Sequence, residues 1–128
     1  MKALVDTHVL MWWALDHPKL SWQARAFIAE PDNQLFFSAA SCWELVLWHQ
    51  RKKLRLPEEC ESFLQRSFEQ HGVEVLPVHF SHVMQTFRLP QHHADPFDRL
   101  LVAQCQVENM PLLSDNTQMD SYDVELIW

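Results

Sequence analysis

Short apolar runs alternate with longer helical patterns along the whole chain, and this alternation restricts the fold more than any other feature. Ala3-Leu4-Val5, Leu35-Phe36-Phe37, Val73-Glu74-Val75-Leu76, Leu112-Leu113 and Val124-Glu125-Leu126-Ile127 read as strands. Between them lie helical patterns over Thr7 to Leu15, Ser21 to Ala29 with Ser21 as N-cap, and Ala40 to about Lys53. Pro57 reads as the opening position of a further helix that runs to His71 and is stopped by Gly72. Two more helices are expected, near Ser81 to Phe87 and from Pro96 to near Asn109. Strands joined through helices cannot pair as hairpins, so the sheet is expected to be parallel and covered on both faces. The expected class is α/β, a single domain over residues 1–128 with a central parallel sheet of about five strands.

Composition narrows the function within that class. Apolar residues at 48% and charged residues at 21% exclude disorder and fibres. Gly72 is the only glycine, which excludes a P-loop, a dinucleotide fingerprint or any other glycine-rich phosphate cradle. Cys42, Cys60 and Cys105 are odd in number and contain no C-x-x-C pair, which suits a reducing compartment and small core residues. No apolar run approaches the ~20 residues of a membrane helix, and Met1-Lys2-Ala3-Leu4 leads straight into a strand without a signal peptide pattern. The expectation is a cytoplasmic protein that makes no use of a membrane.

Seventeen acids against ten bases give a formal charge of −7, which by itself argues against a nucleic-acid binder. The distribution weakens that argument. Four of the ten bases fall in Arg51-Lys52-Lys53-Leu54-Arg55, and several acids fall where strands end. Divalent cations held by those acids would change how the same face looks to a polyanion.

Among the acids, Asp6 follows the first strand and Asp115 follows the fourth. Glu44 lies early in the helix after the second strand, and Asp95 and Asp98 open the helix that begins at Pro96. Each has an ordinary structural explanation: Asp6 as a helix cap, Asp115 as a turn residue, Ser41-Cys42-Trp43-Glu44 as a capping box, Asp95 as an N-cap. Together they say more, because the carboxyl ends of parallel strands share one edge, and ligands bind there. Like charges gathered at that edge raise one another's pKa values unless something positive lies between them. All-oxygen ligands suit Mg²⁺ or Mn²⁺, ions that activate water and hold phosphoryl oxygens. The helices carrying Trp12-Trp13 and Trp43 to Trp48 are apolar over most of their circumference, which marks them either as deeply buried or as partner surfaces.

At these residues the chain resembles the PIN-domain family, and within it the VapC-like ribonuclease toxins of bacterial toxin–antitoxin pairs. Four blocks carry the resemblance in order: Leu4-Val5-Asp6-Thr7-His8-Val9-Leu10, Phe37-Ser38-Ala39-Ala40-Ser41-Cys42-Trp43-Glu44, His93-Ala94-Asp95-Pro96-Phe97-Asp98-Arg99, and Leu112-Leu113-Ser114-Asp115. The resemblance implies Mg²⁺ or Mn²⁺ held by Asp6, Glu44, Asp98 and Asp115, with Asp95 an additional site acid that caps its helix or acts from outside the ligand set. It implies Thr7, Ser38 and Ser114 as hydrogen-bonding supports, an RNA substrate, a small antitoxin as partner, and a toxin homodimer. A lysine and a Gly-Lys-Leu turn, frequent in relatives after the second acid, are replaced here by Trp48-His49-Gln50-Arg51-Lys52-Lys53-Leu54. For His92 and His93 a hydrogen bond to substrate or partner is expected before metal ligation, and for Arg99 an ion pair with an acid ahead of a contact with a phosphate.

Two other readings stand beside the ribonuclease toxin. One is a catalytically silent PIN-like binding or assembly module. The other is a phosphatase or phosphoacceptor domain, which fits poorly: His8 stands where a haloacid-dehalogenase type needs a second Asp, and Pro77-Val78-His79 stands where a receiver needs its acceptor.

Overall fold

A computed structural model describes residues 1–128 and shows a three-layer α/β domain. In chain order the elements are β1 (Lys2–Val5), α1 (Thr7–Ala14), α2 (Trp22–Ala29), β2 (Gln34–Ser38), α3 (Ala39–Gln50) and α4 (Cys60–His71). They continue as β3 (Val73–Leu76), α5 (Phe80–Arg88), α6 (Pro96–Glu108), β4 (Leu112–Leu113), a 3₁₀ turn at Thr117–Ser121, and β5 (Leu126–Ile127). All four strand pairings are parallel, and the order across the sheet is β3-β2-β1-β4-β5.

β1 is the centre of the fold because it is apolar on both faces. Ala3, Leu4 and Val5 are all essentially inaccessible. Successive side chains of a strand point to opposite faces. Val5 therefore joins one core with Val9, Leu35, Phe37, Phe63 and Leu113, while Leu4 joins the other with Leu101, Val102, Leu112 and Met119. The chain winds outward from β1 through β2 to β3, then returns to the other side of β1 for β4 and β5. Strand order thus reverses between β1 and β4, and a crevice opens at such a reversal beyond the carboxyl ends of the strands.

Two expectations about helix starts are corrected. The fourth helix begins at Cys60 and not at Pro57, which lies in the turn before it. Leu54 and Leu56 already pack against the core from the irregular segment, so the helix starts only where its own apolar face, Cys60, Phe63 and Leu64, takes over. Gly72 ends it in the left-handed conformation (φ 63°), as its place in the sequence implies. The third helix begins at Ala39 with Ser38 as N-cap, its hydroxyl accepting from the Ala40 amide. Ser41 is therefore buried inside the helix and Glu44 lies in the second turn, so the capping-box reading of that stretch does not hold.

Candidate active site

Four segments deliver carboxylates to the β1/β4 crevice. Asp6 leaves β1, Glu44 projects from α3, Asp95 and Asp98 come from the start of α6, and Asp115 follows β4. All five line one cavity of about 740 Å³, together with His8, Trp12, Lys19, Trp48 and the residues just after Asp115. The five acids that stand out in the sequence are thereby brought together.

Local geometry explains each position. β1 and β4 pair Leu4 with Leu112 and Val5 with Leu113, so the next residues, Asp6 and Ser114, leave the sheet side by side. The Ser114 hydroxyl donates to Asp6 Oδ2 at 2.6 Å, and the Thr7 amide donates to Asp6 Oδ1 at 2.7 Å. Asp6 thus caps α1 and faces the cavity at once. Thr7 also donates its hydroxyl to Glu44 Oε1 at 2.7 Å, tying α3 to the start of α1. Asp95 caps α6 through Oδ1, accepting from the amides of Phe97 at 2.8 Å and Asp98 at 3.4 Å. Asp98 Oδ2 accepts from His93 Nε2 at 2.7 Å and from the Asn116 amide group at 3.2 Å.

The supports differ in part from those expected. Thr7 and Ser114 do hold carboxylates, whereas Ser38 caps α3 and touches none of them. His93 is committed to Asp98, and His92 lies against the Tyr122 ring with centroids 5.5 Å apart. Arg99 makes no ion pair: its guanidinium donates to the carbonyls of Pro90 (2.7 Å) and Thr86 (2.9 Å) and to the Tyr122 hydroxyl (3.1 Å). It ties Pro90, in the loop before α6, to the last turn of α5, where the Thr86 carbonyl also accepts from the Leu89 amide. Asn116, Lys19 and Trp48 join the site without a sequence signal that marks them as site residues; only its place one residue beyond Asp115 hints at Asn116.

The electrostatics of the site are those of an anionic cluster short of positive charge. Burial pushes the Asp6 carboxyl up to about 6, opposed by the Ser114 hydrogen bond and reinforced by the charge of Asp98. Burial likewise raises Glu44 to about 7, opposed by Thr7 and reinforced by Asp95, Asp98 and Asp6. Asp98 is raised by burial, with His93 opposing and Asp95 adding to the rise. A cation in the cavity would relieve all three. The donors fit a hard divalent ion, since they are oxygens and Glu44 Oε2, Asp98 Oδ1 and Asp95 Oδ2 have no protein partner. No three acidic, histidine or cysteine groups close around a common point.

An acid-lined cavity at the switch point of a parallel, three-layer sheet defines the general class. The sequence pattern of the PIN domain matches residues 3–125, and the chain belongs to the PIN-domain family. In fold it is similar to a chain of VapBC2 from Rickettsia felis bound to a DNA fragment from its promoter, with a TM-score of 0.73 at 15% identity over 98% of this chain and 97% of that one. VapBC-1 from nontypeable Haemophilus influenzae gives a TM-score of 0.65 at 15% identity, over 98% of this chain and 96% of the other. A toxin–antitoxin complex from Klebsiella pneumoniae gives 0.60 at 21% identity, over 90% and 87%. No curated protein matches the chain in sequence.

Proposed function

We propose that the chain is a Mg²⁺- or Mn²⁺-dependent endoribonuclease acting as the toxin of a toxin–antitoxin pair. The observation that carries this reading is the convergence of Asp6, Glu44, Asp95, Asp98 and Asp115 on one cavity at the β1/β4 switch point. PIN domains are generally nucleases, and the folds it resembles come from toxin–antitoxin complexes. Asp6, Glu44, Asp98 and Asp115 are the residues that would hold the ion. When bound, the ion lowers the pKa of a water and neutralises phosphoryl oxygens. The chain's own work is positional: Ser114 and the Thr7 amide fix Asp6, the Thr7 hydroxyl fixes Glu44, and His93 and Asn116 fix Asp98. The direct test is incubation of the purified chain with labelled single-stranded RNA, with and without Mg²⁺. Cleavage only with the metal is expected. A chain that binds RNA or a partner but never cleaves would instead be the silent module.

Asp95 and Asp98 are expected to be unequal. Asp95 already commits one oxygen to two helix amides, so Asp95→Ser should keep the cap and much of the activity, while Asp95→Ala costs about 1 kcal/mol of stability. Asp98→Asn should be inactive. Thermal melts and RNA cleavage on the three variants check this ranking, and an inactive Asp95→Ser beside an active Asp98→Asn would reverse it.

The same acids suggest how such a toxin is restrained. An arginine or lysine from a small antitoxin, lying over Asp6 and Asp98, would supply the positive charge the cluster lacks. For the homodimer, the exposed apolar surface lies away from the tryptophan-rich helices to which the sequence points. Trp12, Trp13 and Trp48 are half-buried against the core, and of that group Trp43 alone is largely exposed. The broader apolar face is on α5, where Phe80 (79% exposed), Val83, Met84 and Phe87 (89% exposed) share one side. Each fully buried Phe contributes ~1.5–3 kcal/mol, so Phe87→Glu should shift a dimer towards monomer. Sedimentation at tens of micromolar, an order-of-magnitude concentration for ordinary interfaces, reads this. A wild-type monomer there would remove the dimer.

A further inference from the structure

The carboxylate cavity has a neighbour with a different character. A pocket of about 460 Å³ lies beside it, lined by the apolar Met11, Leu15 and Leu54 and by His17 and Lys53. Its size falls within the range of small-molecule sites. His8, Trp12 and Trp48 line both cavities and form the wall between them. Their rings cluster, with His8 4.7 Å from Trp48 and 5.7 Å from Trp12 between centroids. Both tryptophans keep part of their surface open.

We infer that Trp12 and Trp48, with His8, form a stacking subsite that seats one nucleobase of a single-stranded RNA beside the carboxylate cavity. The inference rests on the ribonuclease reading and deepens it, because it says which part of the substrate lies where. Single-stranded RNA is held through unstacked bases on aromatic side chains, combined with cations along the backbone. Both parts are present. Lys19 lines the carboxylate cavity with its Nζ 5.8 Å from the Trp12 ring centre, and Lys53 lines the apolar pocket. Lys53 belongs to the run Arg51-Lys52-Lys53-Leu54-Arg55, which holds four of the ten bases of an otherwise acidic chain.

The charges also choose between occupants. An apolar side chain of a protein partner would suit the apolar lining of the pocket. A basic partner segment drawn to Asp6 and Asp98 would, however, find no charge complement at this neighbouring pocket, where Lys53 stands. A nucleotide seats its base in the apolar pocket and passes its phosphates by the lysines, with the bound divalent ion offsetting the carboxylates. The base seated there belongs to a residue next to the phosphate at the carboxylates, because the two cavities share a wall.

The test is abasic scanning of a short single-stranded RNA that the Mg²⁺-loaded wild-type chain cleaves, repeated with Trp48→Leu and Trp48→Phe. One abasic position near the cut should lower kcat/KM roughly 5- to 150-fold, the effect of losing one stacked base, with the loss carried by KM. Trp48→Leu should impose a similar loss on the intact RNA and be insensitive to that abasic position, and Trp48→Phe should restore the sensitivity. Wild-type scanning needs no variant, so a Trp48→Leu chain that fails to fold leaves the test standing. Cleavage with no sensitive position near the cut overturns the subsite and leaves the ribonuclease reading intact. Trp48→Leu that loses partner binding but keeps the abasic sensitivity assigns the pocket to a protein and overturns the subsite. Absence of any metal-dependent cleavage by the wild type overturns the ribonuclease reading and the subsite with it.

Discussion

Asp6→Asn is expected to abolish metal-dependent RNA cleavage while leaving the fold intact. The substitution keeps size and one acceptor oxygen, so the cap on α1 and the contact with Ser114 retain partners. What it removes is the charge at the centre of the crevice, where Asp6 is flanked by Glu44 and Asp98. Losing one preorganised electrostatic contact to the developing charge lowers turnover by ~100-fold or more. Circular dichroism and thermal melting verify the fold, and gel analysis of a labelled RNA reads the rate. Retained cleavage in a folded Asp6→Asn protein would take Asp6 out of the mechanism.

The second large effect is on stability, and its sign is opposite to that of an ordinary capping acid. The folded pKa of Asp6, about 6, lies above its ordinary value of 3.8, so the metal-free native state binds the extra proton between those pH values. Stability from this group is therefore present at low pH and is lost as pH rises from about 4 to about 6. Glu44, raised from 4.5 to about 7, extends the window upward. Above it, a charged Asp6 costs ~3 kcal/mol, from 1.36 kcal/mol for each tenfold change in proton affinity. Metal-free Asp6→Asn should thus be more stable than the wild type at pH 8, by roughly 10 °C in Tm for a chain this size. The difference should shrink towards pH 4. Saturating Mg²⁺ should raise the wild-type Tm, more so at high pH, because the carboxylates must give up their protons to bind it. The variant should gain much less. Parallel melting curves for the two proteins at every pH, with and without Mg²⁺, would contradict the account of the cluster.

The strands and the acid positions are legible in the sequence for the same reason. A strand buried on both faces must be a short apolar run, and the residues after it must turn out of the sheet, so Asp6 and Ser114-Asp115 mark the sheet edge in the pattern of residues alone. Asp95-Pro96-Phe97-Asp98 marks a helix start through its cap and proline. The partners of those acids are less legible. His93 reaches Asp98 from the loop before α6, and Asn116 reaches it from the segment after β4, 18 residues on in the chain, contacts that no periodicity encodes. Arg99 reads as an ion-pair residue because it follows an acid, yet the helix turns it towards the loop carbonyls. The exposure of the α5 face is hidden because Phe80, Val83, Met84 and Phe87 show the spacing of a buried stripe. The residues that do face the core there are His82 and Leu89. Periodicity reports that a helix has an apolar face, not which neighbour covers it.

The central claim, that the carboxylate cavity is a divalent-ion site for RNA hydrolysis, is tested most directly by one paired measurement. Cleavage of single-stranded RNA is followed across an Mn²⁺ titration while free Mn²⁺ is read by electron paramagnetic resonance in the same samples. Bound Mn²⁺ and cleavage should rise together in the wild type, and both should be lost in Asp6→Asn. Cleavage that persists in a chelator, or Mn²⁺ bound equally well by Asp6→Asn, would contradict it.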